Sequence, residues 1–384
     1  MKVLHFYKTH KPDTIGGVEQ FVDQVAKITA PLGVQTRVLA MSPHAADRPI
    51  RLEGYELFQS QSLVDYASTP MSFRAISDFA YHAAWADIIH LHYPYPFADL
   101  AYLLSHSTKP TLVTYHSDIV RQKAMALLYS PLKRMFLNRV DQIVATSQNY
   151  IDTSSTLKRF AHKTSVIPLG LSDRLGAPIA SNLRDGWREK LGSRFFLFLG
   201  VLRYYKGLRD LVLAAKDAPF PVAIAGDGPE RAELEQLAAS IGADNVHFLG
   251  QVSGDEKCAL LENCSGFVFP SNLRSEAFGV SLIEAAMHEK PMITCEIGTG
   301  TSFVNLGNVT GLICPHSEPL ALRSAMDRLW NDEETAVQFG QNARRRYLDH
   351  FTAERMVRSY FGAYEQLLHA STTAPLSVPE ASVA

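Results

Sequence analysis

The chain has 384 residues, of which 46% are apolar and 20% charged, the composition of a folded globular protein rather than a disordered one. That length exceeds what one ordinary core organises and suits two domains of about 150 to 200 residues. The net charge of −2 hides a mild tilt, 17 basic against 13 acidic residues in 1–168 and 20 against 26 in the remainder, too small to indicate nucleic acid as a partner.

The opening "MKVLHFYKTH" runs directly into a strand pattern, and no apolar run nears the ~20 residues of a membrane span. The expectation is a cytoplasmic protein made without a signal peptide. Cys258, Cys264, Cys295 and Cys314 match no zinc or redox spacing, which suits buried free thiols in a reducing compartment.

Short apolar runs then alternate with amphipathic stretches, the pattern of βα units around a parallel sheet. The first strand, "KVLHFY", leads to "KPDTIGGVEQ", where Gly16 and Gly17 precede a helix. Such a pair suits phosphate approach to a helix N-terminus, and it equally suits a tight turn; it is not a GxGxxG fingerprint. After "TRVLAM", the strands "DIIHLHY" and "PTLVTYH" carry His92 and His116 at their ends, with Asp118 beside the latter. Both histidines are candidates for a sugar hydroxyl, although a lone histidine at a strand end is more often structural.

From Ile119 to Val140 there are five basic residues, Arg121, Lys123, Lys133, Arg134 and Arg139, interleaved with apolar ones and with no acidic residue. This stretch could rest on an anionic membrane surface, or form two ordinary helices with basic residues in solvent. "QIVATS" and "TSVIPLG" complete the first domain, and the boundary is placed near Gly170, giving domains of 1–169 and 170–353.

The pattern restarts with "FFLFLG", "PVAIAGDG", "NVHFLG", "GFVFPS" and "PMITCEIG". Two doubly wound α/β domains facing a central cleft are the simplest account, with chemistry in the loops after the strands. "GVLRYYKGL" puts Arg203 and Lys206 in one such loop, where two cations could stabilise a departing diphosphate; alone, such a pair is more often solvated.

"SEAFGVSLIEA" places Glu276 in a loop and Glu284 inside a helix that starts near Gly279. At ~1.5 Å per residue the two carboxylates stand roughly 10 Å apart along the axis, about the span from ribose to sugar across a sugar nucleotide. Each carboxylate could accept from a diol, and the N–H groups of Phe278, Gly279 and Val280 would face the negative oxygens between them. A helix with one acidic residue at its mouth and one solvated is the bland alternative. No Asp-x-Asp or His-Glu-x-x-His supplies a metal-ligand set. A helix closes the chain over 354–370, and 371–384, "STTAPLSVPEASVA", reads as a disordered tail.

Taken in order, "GGVEQ", "AGDGPE", "NVHFLGQV", "EAFGVSLIE" and the closing helix resemble the retaining glycosyltransferases of family 4, with the GT-B fold of two Rossmann-like domains. "HFYKTHKPDTIGGVEQ", "LRYYKGL" and "EIGTGTSFVN" look most like the bacterial mannosyl- and rhamnosyltransferases that build O-antigen and related polysaccharides. The resemblance implies a GDP-sugar donor; with no ligand set in the sequence no metal or other cofactor is expected, and the basic stretch from Ile119 to Val140 fits a lipid-linked saccharide acceptor. It implies that Glu276 holds the donor sugar, Glu284 the ribose, Arg203 and Lys206 the diphosphate, and that His116 hydrogen-bonds the sugar. Gly16, Gly17 and Gly226 would lie at the donor, Val252 would flank the base, Asp255 or Glu256 would read guanine, and His92, Asp118 and Arg121 would face the acceptor.

The chain departs from the family pattern in one place, with Val201 where G-R-L-x-x-x-K-G has arginine; Arg203, two positions on, shares that face. The resemblance further implies a front-face departure in which the leaving diphosphate takes the acceptor's proton. Transfer of D-rhamnose from GDP-D-rhamnose is the near alternative. A sugar-nucleotide epimerase and a non-catalytic sugar-nucleotide binder are the readings from other classes, and a missing dinucleotide fingerprint disfavours an oxidoreductase.

Overall fold

The computed structural model describes residues 1–14, 16–66, 69–119, 123–176 and 178–373. Two open sheets organise it. The first runs in the order Thr164–Val166, Gln142–Ala145, Thr111–Tyr115, Ile88–Tyr93, Lys2–Tyr7, Gln35–Ser42, Tyr55–Gln61, Ile50–Leu52. All its pairings are parallel except that of Ile50–Leu52 with Tyr55–Gln61. The second runs Val246–Gly250, Val222–Ala225, Phe196–Leu199, Gly266–Phe269, Met292–Glu296, Gly311–Pro315, parallel throughout. A parallel sheet is covered on both faces, which is why "FLFL" and "GFVF" are buried at every position.

Each sheet reverses its winding once, at Lys2–Tyr7 against Ile88–Tyr93 and at Phe196–Leu199 against Gly266–Phe269. Loops leaving the carboxyl ends of strands on either side of such a reversal splay apart and leave a crevice. The helix Ala353–Thr373 packs Met356, Val357, Tyr360, Tyr364 and Leu367 against the first sheet. It continues three residues beyond the 354–370 read from the sequence, because "STT" extends its last turn; 374–384 lie outside the described residues. The basic stretch is one helix, Lys123–Arg139, with Pro131 inside it, rather than two.

The lobes touch beside the cleft. Ala277 of the second lobe packs into the core of the first, Asn149 donates to Ser302 Oγ at 3.1 Å, and Thr153 donates to the Gly298 carbonyl.

Candidate active site

Phe196–Leu199 and Gly266–Phe269 are neighbours in the second sheet, so the loops that follow them start side by side. Gly207 sits in the left-handed region with φ 65°, and a Cβ there would lie 2.0 Å from the Pro270 carbonyl oxygen. Only glycine lets the two loops come so close. Lys206 Nζ thereby reaches Glu276 Oε2, each side chain only 11% exposed, and its ammonium stands 4.5 Å from the Phe269 ring centroid. Ser271 Oγ lies 3.5 Å from the same carboxylate oxygen.

Val201 is 51% exposed, Leu202 is buried and Arg203 is exposed, so positions 201 and 203 share an outward face. Arg203 lines a small cavity with Glu230, Glu233 and Asn272, and its charge also reaches Lys8 of the opposite lobe.

Gly279, with φ 87°, opens the helix Val280–Met287. The first-turn N–H groups of such a helix have no partner within it. Phe278 brings its backbone to this turn while its side chain is core, edge-on to Phe351 with centroids 6.1 Å apart. Glu284, inside the helix, is paired with Lys257. That pair lines a cavity of about 320 Å³ together with Arg174, His288, Ser172 and, from the other lobe, Gln20.

Glu256 is committed to a capping box with Ser253, accepting from its N–H at 2.7 Å, while Asp255 is exposed and paired with Arg174 at 3.0 Å. Val252 is half-buried against the second core. Gly226 is structural, since a Cβ there would lie 2.0 Å from the Gly200 carbonyl oxygen.

In the first lobe, Glu19 reaches back over the turn before its helix, accepting from Thr9 Oγ1 at 2.6 Å and Thr14 Oγ1 at 3.1 Å. A Cβ on Gly16 would meet Glu19 Oε2 at 2.4 Å, whereas Gly17 has open space. Gly16 is therefore explained by a carboxylate, while nothing packed around Gly17 demands a glycine. Lys8 stands nearby; burial lowers its pKa and the Arg203 guanidinium lowers it further, against Glu19 and Asp65.

His116 and His92 do come together: His116 Nε2 is 3.2 Å from His92 Nδ1, and His92 Nε2 is 3.1 Å from His5 Nδ1. Burial pushes His116 down to about 3. His5, His90 and His92 bring ligand-type nitrogens within 4.8 Å of one another. Five of their six ring nitrogens are already hydrogen-bonded, to Tyr364, Thr114, His116 or one another, and among the described residues no carboxylate joins the trio to balance a cation.

Asp118 accepts from Tyr115 at 2.7 Å and Ser154 at 3.0 Å and faces Arg274 of the second lobe at 3.4 Å. It bridges the lobes through Arg274. Arg121 lies outside the described residues.

Sequence reasoning passed over Lys8, Arg174, Lys257 and Arg274. All four lie in or next to loops that open on the cleft. The rule that sites form at strand ends near a reversal was the signal available for Lys8 and Arg274.

Two Rossmann-like lobes facing a charged cleft form the GT-B architecture. The first lobe matches the family model described as Glycosyltransferase Family 4 over residues 15–174, and the second the one described as Glycosyl transferases group 1 over residues 180–346. The chain belongs to glycosyltransferase family 4. It is 44% identical over 372 residues to the O-antigen chain mannosyltransferase C of Escherichia coli, covering 97% of this chain and 100% of that one. It is 47% identical over 354 residues to the D-rhamnosyltransferase WbpZ of Pseudomonas aeruginosa, covering 92% and 93%. Sucrose-phosphate synthase from Thermosynechococcus elongatus shares the fold, with a TM-score of 0.80 at 21% identity over 96% of this chain and 99% of that one.

Proposed function

We propose that this glycosyltransferase moves mannose from GDP-mannose to a lipid-linked saccharide acceptor in O-antigen or related surface-polysaccharide synthesis, with retention at the anomeric carbon. The observation that carries the reading is the pair of glutamates on one loop–helix unit, Glu276 and Glu284, each beside a lysine, Lys206 and Lys257. Lysine beside carboxylate is a natural pairing for a ligand that offers phosphate and diols together.

In this mechanism the bond from the sugar's C1 to the diphosphate breaks while the acceptor oxygen bonds to C1 on the same face. The acceptor's proton passes to the departing diphosphate. Lys206, Arg203 and Lys8 would stabilise the charge that builds there, so the chemistry requires no metal. Glu276 orients the sugar, His116 hydrogen-bonds it and Glu284 holds the ribose.

The lipid-linked acceptor is supported by the helix Lys123–Arg139, which turns Leu127 and Leu128 outward at 76% and 83% exposure, with Met135 and Arg134 two turns on. Such a stripe suits the surface of an anionic bilayer. No helix among the described residues is long and apolar enough to cross one. Transfer of D-rhamnose from GDP-D-rhamnose is the second reading, favoured by the similarity to a D-rhamnosyltransferase.

Calorimetry with GDP-mannose, GDP-D-rhamnose, UDP-glucose and GDP, with Glu284→Ala as control, tests the donor. GDP-sugar binding that disappears in the variant is the expected result. Tighter binding of UDP-glucose, or binding of none of the four, overturns it.

A further inference from the structure

The three imidazoles of His116, His92 and His5 form one hydrogen-bonded chain running from the cleft into the core. His116 follows the strand Thr111–Tyr115, and its backbone N–H donates to the Tyr93 carbonyl at 2.9 Å. His92 and His5 are each 1% exposed, while His116 keeps some exposed surface. Rings stack along the chain, with centroids 5.4 Å apart for His92 and His116 and 5.3 Å for His5 and His92. The chain ends at His5 Nε2, which is buried with no partner. Burial keeps all three neutral, His5 and His116 pushed down to about 3 and His92 well below its ordinary value.

A neutral imidazole carries one N–H and one lone pair. Two consecutive nitrogen–nitrogen bonds therefore lock all three tautomers together, because a mixed arrangement would set two lone pairs or two N–H groups against each other. If every N–H points inward, His116 donates through Nε2, and the chain ends in a buried His5 Nε2–H with no acceptor. If every N–H points outward, His5 donates from Nδ1, His92 donates from Nδ1 to His116 Nε2, and only a lone pair is left unfilled at His5 Nε2. Among backbone groups a buried N–H without an acceptor is the rarer defect, and carrying that preference over to His5 Nε2 selects the outward arrangement. It leaves the proton of His116 on Nδ1, the nitrogen not engaged in the chain.

We infer that His5 and His92 are positioning residues that fix His116 as an N–H donor, so that it can serve an oxygen of the sugar or of the departing phosphate but cannot accept a proton from a hydroxyl. The identity of that oxygen's owner rests on the glycosyltransferase reading of the cleft. The tautomer does not, which makes the two separable.

The test is the ring ¹⁵N spectrum of histidine-labelled protein at neutral pH without any ligand. His116 is assigned by comparison with His116→Gln. The expected pattern has the proton on Nδ1 of His116. His5→Leu removes the donor at the core end and is expected to release His116 to a mixed or Nε2–H form. His5→Asn places an amide N–H where Nδ1 stood and is expected to hold the wild-type pattern. In turnover assays His5→Leu is expected to lower kcat about tenfold, the worth of one misdirected hydrogen bond, with KM little changed. A wild-type His116 protonated on Nε2 overturns the inference, and so does a His5→Leu spectrum identical to wild type. Should His5→Leu fail to fold, the wild-type spectrum alone decides. The expected tautomer in a protein that binds no sugar nucleotide would leave the chain of imidazoles standing and sink the donor assignment instead.

Discussion

The buried pair of Lys206 and Glu276 allows stability and catalysis to be separated by a double-mutant cycle. Glu276→Gln leaves an ammonium that is 11% exposed without its counter-ion; breaking one partner of a buried pair costs about 3 to 5 kcal/mol. The ammonium keeps its seat 4.5 Å from the Phe269 ring centroid, a cation–π contact worth up to ~2 kcal/mol when desolvated, so the lower end, about 3 kcal/mol, is expected. Lys206→Met should cost a similar amount by stranding the carboxylate. The double variant removes both charges and should return to within about 1 kcal/mol of wild type. Urea unfolding followed by the fluorescence of Trp187 and Trp330, both packed on the second core, reads this as a midpoint lowered by about 1 M in each single variant and restored in the double. Donor turnover should be lost in all three. Single variants as stable as wild type, or a double no more stable than the weaker single, would refute the claim that the pair is an energetic unit.

Gly226→Ala would force a Cβ to 2.0 Å from the Gly200 carbonyl at φ 134°; the second lobe should lose ~2 kcal/mol or more, and an unchanged urea midpoint would count against the geometry. Arg274→Ala removes the contact with Asp118 and the 2.7 Å hydrogen bond to Gly298 O. The partly exposed pair should contribute no more than ~1 kcal/mol to stability, yet small-angle scattering should show more open lobes; an unchanged radius of gyration contradicts its role as a latch. His5 is held at about 3 by burial, so below about pH 6.5 the unfolded chain binds a proton that the folded chain refuses. Stability should therefore fall as pH drops from 6.5 towards 5, by up to ~1.4 kcal/mol per unit for this residue. His10 and His288, pushed down to about 4, act in the same sense, and a urea midpoint that stays flat over that window refutes the assignment.

The runs "KVLHFY", "DIIHLHY" and "FFLFLG" are legible as strands because a central parallel strand is buried on both faces and reads as continuous apolar sequence. Tyr55–Gln61, "YELFQSQ", is not, since it lies one place from the sheet edge and is buried at only part of its length. Gly311–Pro315 hides for a related reason, an edge strand bounded by glycine and proline. At the site, Glu276 and Glu284 can be related from sequence alone because one loop–helix unit carries both. Their lysines cannot be paired with them that way: Lys206 is 70 residues from Glu276 and Lys257 is 27 from Glu284. Those contacts are products of the sheet order. Asp118 can be placed in a loop beside His116 from the sequence, and on the acceptor side through the family resemblance, but its partner Arg274 comes from a loop 156 residues away.

The cleft has two of its cations answered by carboxylates of the same lobe, Lys206 by Glu276 and Lys257 by Glu284, while Lys8, favoured by Glu19 and Asp65, also feels the like charge of Arg203 from the opposite lobe. Like charges on two separate lobes raise each other's cost, here offset in part by the two carboxylates. A diphosphate entering there would relieve that repulsion and compete for the two lysines. Each lysine it drew away would release a carboxylate, already in place, to receive a hydroxyl of the sugar or the ribose. Under the proposed function the same two pairs would mark the two ends of the donor site, each lysine and each glutamate exchanging one partner for another. The exchange also explains why the glutamates are spaced along one rigid loop–helix unit while the lysines come from elsewhere. If each carboxylate holds a diol, the distance between them has to be kept, and the cations need only reach them.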